Sequence, residues 1–302
     1  MIALLCPGQG SQKPGFMNSW LEIPEYKNNM EQLSDVIGLD LIMHGTVSDE
    51  ATIRDTAIAQ PLIVAASIAT ANLLELFDVS AVAGHSVGEV AAGYVAGILS
   101  EADAMKLVQV RANAMAKAAK SSDTGMAAVL GGEVEVVLEK LKKHNLTPAN
   151  YNGAGQIVAA GSAEAIKELV ANPPAGAKVI ALSVAGAFHT SYMQSAVSEL
   201  ADFANGISVS IPNKTIWSNH QAEEILSGED YIEKLVGQVA NSVRWDLCMD
   251  ALAAMGVTGV IELPPAGTLV GLIKRAHPEI ETFALKTPED LDAAKEFVSK
   301  HA

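Results

Sequence analysis

Gly84-His85-Ser86-Val87-Gly88 sets a serine between a short apolar, β-branched run (79–83) and a small-sided, helix-like run that starts at Glu89. A serine on a sharp strand-to-helix turn has a strained backbone and an exposed hydroxyl. Glycines two residues to either side remove the Cβ atoms that would clash in so tight a bend. The helix that follows aims unpaired N–H groups at the point where an oxyanion would develop. The pattern therefore predicts a serine nucleophile; the plainer alternative is a glycine-rich turn with an incidental serine.

A serine hydroxyl is a poor nucleophile until a base takes its proton. The chain has seven histidines. His85 shares the turn and is expected to point away from Ser86. His44, His144, His220, His277 and His301 lie in polar, turn-like or terminal surroundings and are expected to be solvated. His189, in Ala185-Gly186-Ala187-Phe188-His189-Thr190, follows a predicted buried strand and precedes a helix. The C-terminal edge of parallel strands is where active-site groups collect. A helix N-terminus also disfavours imidazolium, which keeps the ring basic near neutral pH. His189 is thus the expected general base, against the alternative of a loop histidine that is merely hydrogen-bonded.

Arg111 is an independent signal. The segment 102–120 is strongly helical, with Lys106, Gln109, Asn113, Lys117 and Lys120 on its polar face. Arg111 lies opposite, on the stripe of Ala104, Val108 and Met115 that ought to be buried. A buried guanidinium must be paired and cannot discharge by losing a proton. It either meets an internal carboxylate or is kept to bind an anionic ligand with both prongs.

The elements that position these residues read as an α/β fold. Residues 2–6 predict a first buried strand, followed by the loop Pro7-Gly8-Gln9-Gly10-Ser11-Gln12. A dinucleotide fingerprint would need glycine at position 13, which is Lys13, and no phosphate-binding Gly-Lys-Ser/Thr loop occurs. Helices are expected over 26–37 and 57–77. Strands at 126–130, 149–152, 156–160 and 178–184, with helices at 133–144 and 163–171, form a βαββαβ order, the mark of a ferredoxin-like unit. This predicts a small subdomain at 125–187 inserted into a large domain made of 1–124 and 188–302. Beyond it, helices are expected at 191–205, 230–239, 247–255 and after Pro265, with strands at 214–218 and 259–263.

The chain has 302 residues, 49% of them hydrophobic, so it can bury a sizeable core. A net charge of −15 argues against non-specific binding to nucleic acid or to anionic membrane. Cys6 and Cys248 provide neither a disulfide framework nor metal-ligand spacing. The N-terminal segment lacks a basic region and is too short for a signal sequence. The apolar stretch 57–76 contains Gln60, Pro61, Ser67, Asn72 and Glu75, so it is expected to be a core helix and not a membrane span. A cytoplasmic location is expected.

Together these residues resemble the malonyl-CoA:acyl-carrier-protein transacylases of fatty-acid synthesis and the acyltransferase domains of polyketide synthases. The resemblance runs in order over nearly the whole chain: Pro7 to Gln12; Gly84 to Glu89; Arg111 with Met115; Asn152 to Val158 with Gly161; Ala187 to Thr190; Gln238 to Trp245; and Pro265 to Leu269. It implies an α/β-hydrolase-like parallel-sheet core with an inserted ferredoxin-like subdomain. It also implies that Ser86 carries the acyl group, that His189 is base and then acid, and that Arg111 grips the free carboxylate of malonate. Backbone N–H groups of Gln9 and Val87 would form the oxyanion hole, with Gln9, Met115 and Phe188 beside the substrate. Gln238 would orient the histidine through its backbone carbonyl. No metal or resident cofactor is implied, because the phosphopantetheine belongs to the acyl carrier protein and malonyl-CoA is the substrate; a monomer is expected.

Val87 and Phe188 resemble malonyl-selective members, since methylmalonyl-selective ones commonly carry Gln and Ser there. Two departures stand out: Ser242, where the family usually has proline, and Pro264-Pro265-Ala266-Gly267, where Gly-Pro-Gly is commoner. An acidic carrier would need a local basic patch, with Lys178, Arg244, Lys274 and Arg275 as candidates. The rival readings are an acyltransferase serving a polyketide-synthase or malonate-decarboxylase carrier, a serine esterase, and a non-catalytic binding protein.

Overall fold

Strand Ile2–Cys6 (β1) is buried at every position, as a strand covered on both faces must be. In chain order it is followed by Val79–Gly84 (β2), Thr124–Gly131 (β3), Thr147–Tyr151 (β4), Gln156–Ser162 (β5), Ala177–Leu182 (β6), Thr215–Ile216 (β7), Val243–Arg244 (β8), Gly259–Glu262 (β9) and Glu281–Ala284 (β10). These come from a computed structural model that describes residues 1–74 and 78–302.

Two sheets form. The first has the order β10-β9-β1-β2-β7 and is parallel throughout. With Cys6 opposite Gly84 and Leu5 opposite Glu262, the loops after β1, β2 and β9 leave the sheet at one edge. That is the edge at which parallel sheets build their sites. Around the sheet pack the helices Pro24–Ile37, Thr56–Ala71, Gly88–Val95 and Glu101–Ala119. The helix Thr56–Ala71 is buried almost all round, so its apolar character serves the core. Among the described residues no helix is long and apolar enough to cross a membrane.

The second sheet has the order β6-β3-β5-β4-β8, with β3 to β6 antiparallel and helices at Val134–Lys143 and Ala163–Ala171. This is the ferredoxin-like βαββαβ arrangement. Side chains alternate along a strand. Ala127, Val129, Ile157 and Ala159 face the two helices with Val137, Leu141, Ile166 and Leu169. Met126, Ala128 and Val158 take the other face and look into the cleft beside Ser86.

Some boundaries differ from the sequence expectation. The helix expected at 57–77 ends at Ala71, and residues 72–74 form a turn; positions 75–77 lie outside the described residues. The segment expected as one helix at 191–205 is a 3-10 turn, Ser191–Met193, leading into the helix Gln194–Ala204. The two-residue strand β8 was not expected, and it adds to the second sheet by pairing with β4. Ser242, just before it, donates to the Pro148 carbonyl at 2.7 Å. The serine that stands where the family usually has proline thus ties this turn to the second sheet.

Candidate active site

The turn after β2 is as tight as its glycines suggest. A Cβ on Gly88 would sit 2.1 Å from the Cys6 carbonyl oxygen, and one on Gly84 would sit 2.1 Å from the Gly88 carbonyl carbon. Neither position can carry a side chain without moving backbone. Ser86 itself has φ +54°, a left-handed conformation that non-glycine residues rarely adopt and that clusters at functional sites. Its backbone is pinned by Asn219, whose Oδ1 accepts the Ser86 N–H at 2.7 Å and whose Nδ2 donates to the Gly84 carbonyl at 2.8 Å.

The expected base arrives from 103 residues away. His189 Nε2 lies 2.7 Å from Ser86 Oγ, and Nδ1 lies 2.9 Å from the Gln238 carbonyl oxygen. The carbonyl can accept only an N–H, so it fixes the tautomer with Nδ1 protonated and leaves Nε2 free to take the serine proton. His189 is also held with φ +61°, so both members of the pair sit in strained backbone. Its pKa falls to about 3, first because the ring is buried and second because Arg111 is close. Burial and a nearby cation keep the ring neutral. Serine acylation should therefore show no histidine titration between pH 5 and 8, with an acid limb only near pH 3–4, where the base form is lost. A rate profile of acylation against pH checks this; a midpoint near 6.5 would contradict it.

Arg111 is fully buried on the helix Glu101–Ala119, as the stripe predicts. Its partners are amides and a hydroxyl, not a carboxylate. Nη1 donates to Gln60 Oε1 at 2.7 Å, and Nη2 donates to Gln238 Oε1 at 2.7 Å and to Ser86 Oγ at 3.3 Å. Nε finds no partner among the described residues. Burial pulls the guanidinium down to about 10, so it stays charged near neutral pH.

Gln9, Met115 and Phe188 line a cleft of about 250 Å³ with Ser86, His189 and His85. Gln60 bonds within this wall, to Gln9 Oε1 at 3.5 Å and to the Met115 sulfur at 3.6 Å. Val87 is buried at the helix start, where the N–H groups of Gly88, Glu89 and Val90 turn back to the carbonyls of His85, Ser86 and Val87. The Val87 N–H takes part in none of these bonds. His85 points away from Ser86, as expected: its Nε2 meets Asn152 Oδ1 at 3.0 Å and its ring lies edge-on to Trp245.

The far wall is set by Glu262, whose buried carboxylate accepts the N–H groups of Gly267, Leu269 and Val270 at 2.9–3.0 Å. These bonds hold the start of the helix Thr268–Ala276, and Thr268, Leu269 and Leu272 reach the cleft from it.

Sequence reasoning missed Gln60, Asn219 and Glu89, whose carboxylate accepts the Asn219 N–H at 2.7 Å. Gln60 and Glu89 stand in apolar runs and Asn219 in a polar turn, and key partners are far off: Arg111 is 51 residues from Gln60, Ser86 133 from Asn219 and Gln238 149 from Glu89. Only Gln60 carried a signal, as a polar residue in a helix otherwise bound for the core. His44 and His301, expected to be solvated, are buried at 8% and 7% exposure. His44 meets Ser48 Oγ, four residues on, and His301 meets Thr258 Oγ1, 43 residues away, partners that let each ring leave water. Of the candidate docking cations, Arg244 is committed to Asp246 at 2.8 Å and stacks on Tyr151, and Arg275 reaches Gln156 at 3.2 Å. Lys178 and Lys274 are exposed.

Residues 3–290 match the acyl transferase domain family. The malonyl CoA-acyl carrier protein transacylase of Mycobacterium tuberculosis is 45% identical over 97% of this chain and 98% of its own length. Its counterpart in Bacillus subtilis is 32% identical over 97% and 96%. A crystal structure of the M. tuberculosis MCAT superposes with a TM-score of 0.94 at 44% identity, covering 98% of this chain and 99% of that one. A type II PKS acyl-carrier protein in complex with its malonyl-transacylase gives 0.91 at 28% identity, over 98% and 99%. The family match spans most of the chain, and these relatives match it over nearly its whole length: the chain belongs to the acyl transferase family.

Proposed function

We propose that the protein transfers the malonyl group of malonyl-CoA to the phosphopantetheine thiol of an acyl carrier protein, through a malonyl-Ser86 intermediate, in fatty-acid biosynthesis. The observation that carries this reading is the buried Arg111, with Nη2 3.3 Å from the Ser86 hydroxyl. A cation next to a nucleophile, partnered only by neutral groups, suits an acyl group that ends in a carboxylate.

His189 Nε2 takes the Ser86 proton as Oγ attacks the thioester carbonyl. The oxyanion is met by the backbone N–H groups of Gln9 and Val87. As the carbonyl reforms, the C–S bond breaks and His189 returns its proton to the CoA sulfur. The carrier's thiol then enters and gives its proton to His189 Nε2 as its sulfur attacks the malonyl ester; the C–O bond to Ser86 breaks, and His189 returns the proton to Ser86 Oγ. Met115 and Phe188 bound the acyl chain, and Phe188 with Val87 suits malonyl over methylmalonyl. The Gln238 carbonyl orients the imidazolium in place of a carboxylate, which separates the site from a serine esterase with a triad acid.

Segment 125–187 acts as the inserted subdomain and supplies the cleft wall of Met126, Ala128 and Val158. The chain's side chains and backbone groups serve both half-reactions, in a monomeric cytoplasmic enzyme. Lys178 and Lys274 remain as exposed cations for an acidic carrier. The test is transfer: with malonyl-CoA and a phosphopantetheinylated carrier, the carrier should gain one malonyl group at a rate proportional to enzyme. A carrier that stays unmodified would overturn the reading. A polyketide-type carrier is a second reading, favoured by the likeness to the solved PKS carrier complex; comparing rates on the two purified carrier types separates them.

A further inference from the structure

The site holds a second buried charge-bearing group that the transfer scheme does not use. Glu89 sits in the first turn of the helix Gly88–Val95 and is 3% exposed. Its Oε1 accepts the Asn219 N–H at 2.7 Å, and its Oε2 contacts the side-chain amide nitrogen of Gln238. The oxygen of that same amide accepts from Arg111 Nη2 at 2.7 Å. Gln238 therefore stands as a one-amide wedge between a buried carboxyl and a buried guanidinium.

Three other helices turn ionisable groups towards Glu89. Arg111 comes from Glu101–Ala119 and Cys248 from Trp245–Ala254. Tyr231 comes from Gly228–Gln238, and its hydroxyl donates to the Glu89 carbonyl at 3.0 Å. Of these only Arg111 is cationic. Burial pushes the Glu89 carboxyl up to about 8, while Asn219, Gln238 and Arg111 draw it down.

We propose that Glu89 is a positioning residue for acyl-group choice: through Gln238 it shares the charge of Arg111, and a carboxylate-bearing acyl group occupies Arg111 only while Glu89 carries a proton. The inference rests on the transfer reading above. Its physical basis is charge counting in a dry site. One guanidinium can neutralise one carboxylate, and a second carboxylate sharing it is left uncompensated. The cheaper state takes a proton from solvent onto Glu89, with no bond to the substrate made or broken. A neutral acyl group brings no second anion and demands no proton.

The test is loading of the full-length enzyme with malonyl-CoA and, separately, acetyl-CoA, below saturation, from pH 6.5 to 9.5, read by intact mass after rapid quench. Malonyl loading should fall above about pH 8, approaching about tenfold per pH unit, because binding then requires proton uptake. Acetyl loading should lack that limb. Glu89→Gln should flatten the malonyl profile, and Glu89→Asp should restore a limb. A role confined to folding would move the two substrates together. The wild-type comparison needs no variant to fold. Parallel malonyl and acetyl profiles, with a malonyl adduct present, would overturn this inference alone. Absence of any malonyl adduct would overturn the transfer reading as well.

Discussion

Ser86→Ala should lower malonyl transfer to the carrier by about 10⁴-fold or more, the usual cost of removing the nucleophile from a unit that works together. The loss should not come from unfolding. The turn is held by Asn219 through the Ser86 backbone N–H and the Gly84 carbonyl, and neither bond needs the hydroxyl. Alanine also tolerates φ +54° about as poorly as serine does, so the backbone strain is unchanged. Carrier malonylation measured beside thermal unfolding checks both halves. A variant that unfolds at the wild-type temperature yet transfers within tenfold of wild type would remove Ser86 from the mechanism.

Arg111→Ala has the second-largest expected effect, and it is on selection more than on chemistry. Breaking a buried, hydrogen-bonded charge pair costs about 3–5 kcal/mol, which is about 10²- to 10³-fold or more in rate. Malonyl loading should fall by that order. Acetyl loading should fall far less, since the neutral acyl group never used the guanidinium. The measured quantity is the ratio of malonyl to acetyl loading, which should drop by at least about 10². An unchanged ratio would mean that the carboxylate is read elsewhere. The side-chain nitrogens of Gln60 and Gln238 keep their acceptors, Gln9 Oε1 and the Ser86 carbonyl, which limits the structural damage.

Much of this site is legible in the sequence because its signals are local. The elbow around Ser86 combines a strand, two glycines and a helix within a dozen residues. The helix Ala163–Ala171 falls on its expected bounds because Ser162 caps it, accepting the Ala165 N–H, and Asn172 closes it. The amphipathic face of 102–120 exposes Lys106, Asn113 and Lys117 and buries Arg111.

What escapes the sequence depends on distant partners. Nothing near Gln60 says that its amide will accept from Arg111, 51 residues away. Gln238 orients His189 with a backbone carbonyl, which every residue has, so only the resemblance singled it out. Strand β8 is two residues long and has no period to detect. The end of the helix Thr56–Ala71 is equally unmarked, because Asn72 and Leu73 continue a helix pattern as well as they end it.

The most direct test of the central claim is the covalent intermediate itself. Mixed with malonyl-CoA and no carrier, quenched in acid and read by intact mass, the wild-type chain should gain one malonyl group, mapped by peptide digestion to Ser86. The Ser86→Ala chain should gain none. A wild-type chain with no added mass, or an adduct that persists in Ser86→Ala, would contradict it.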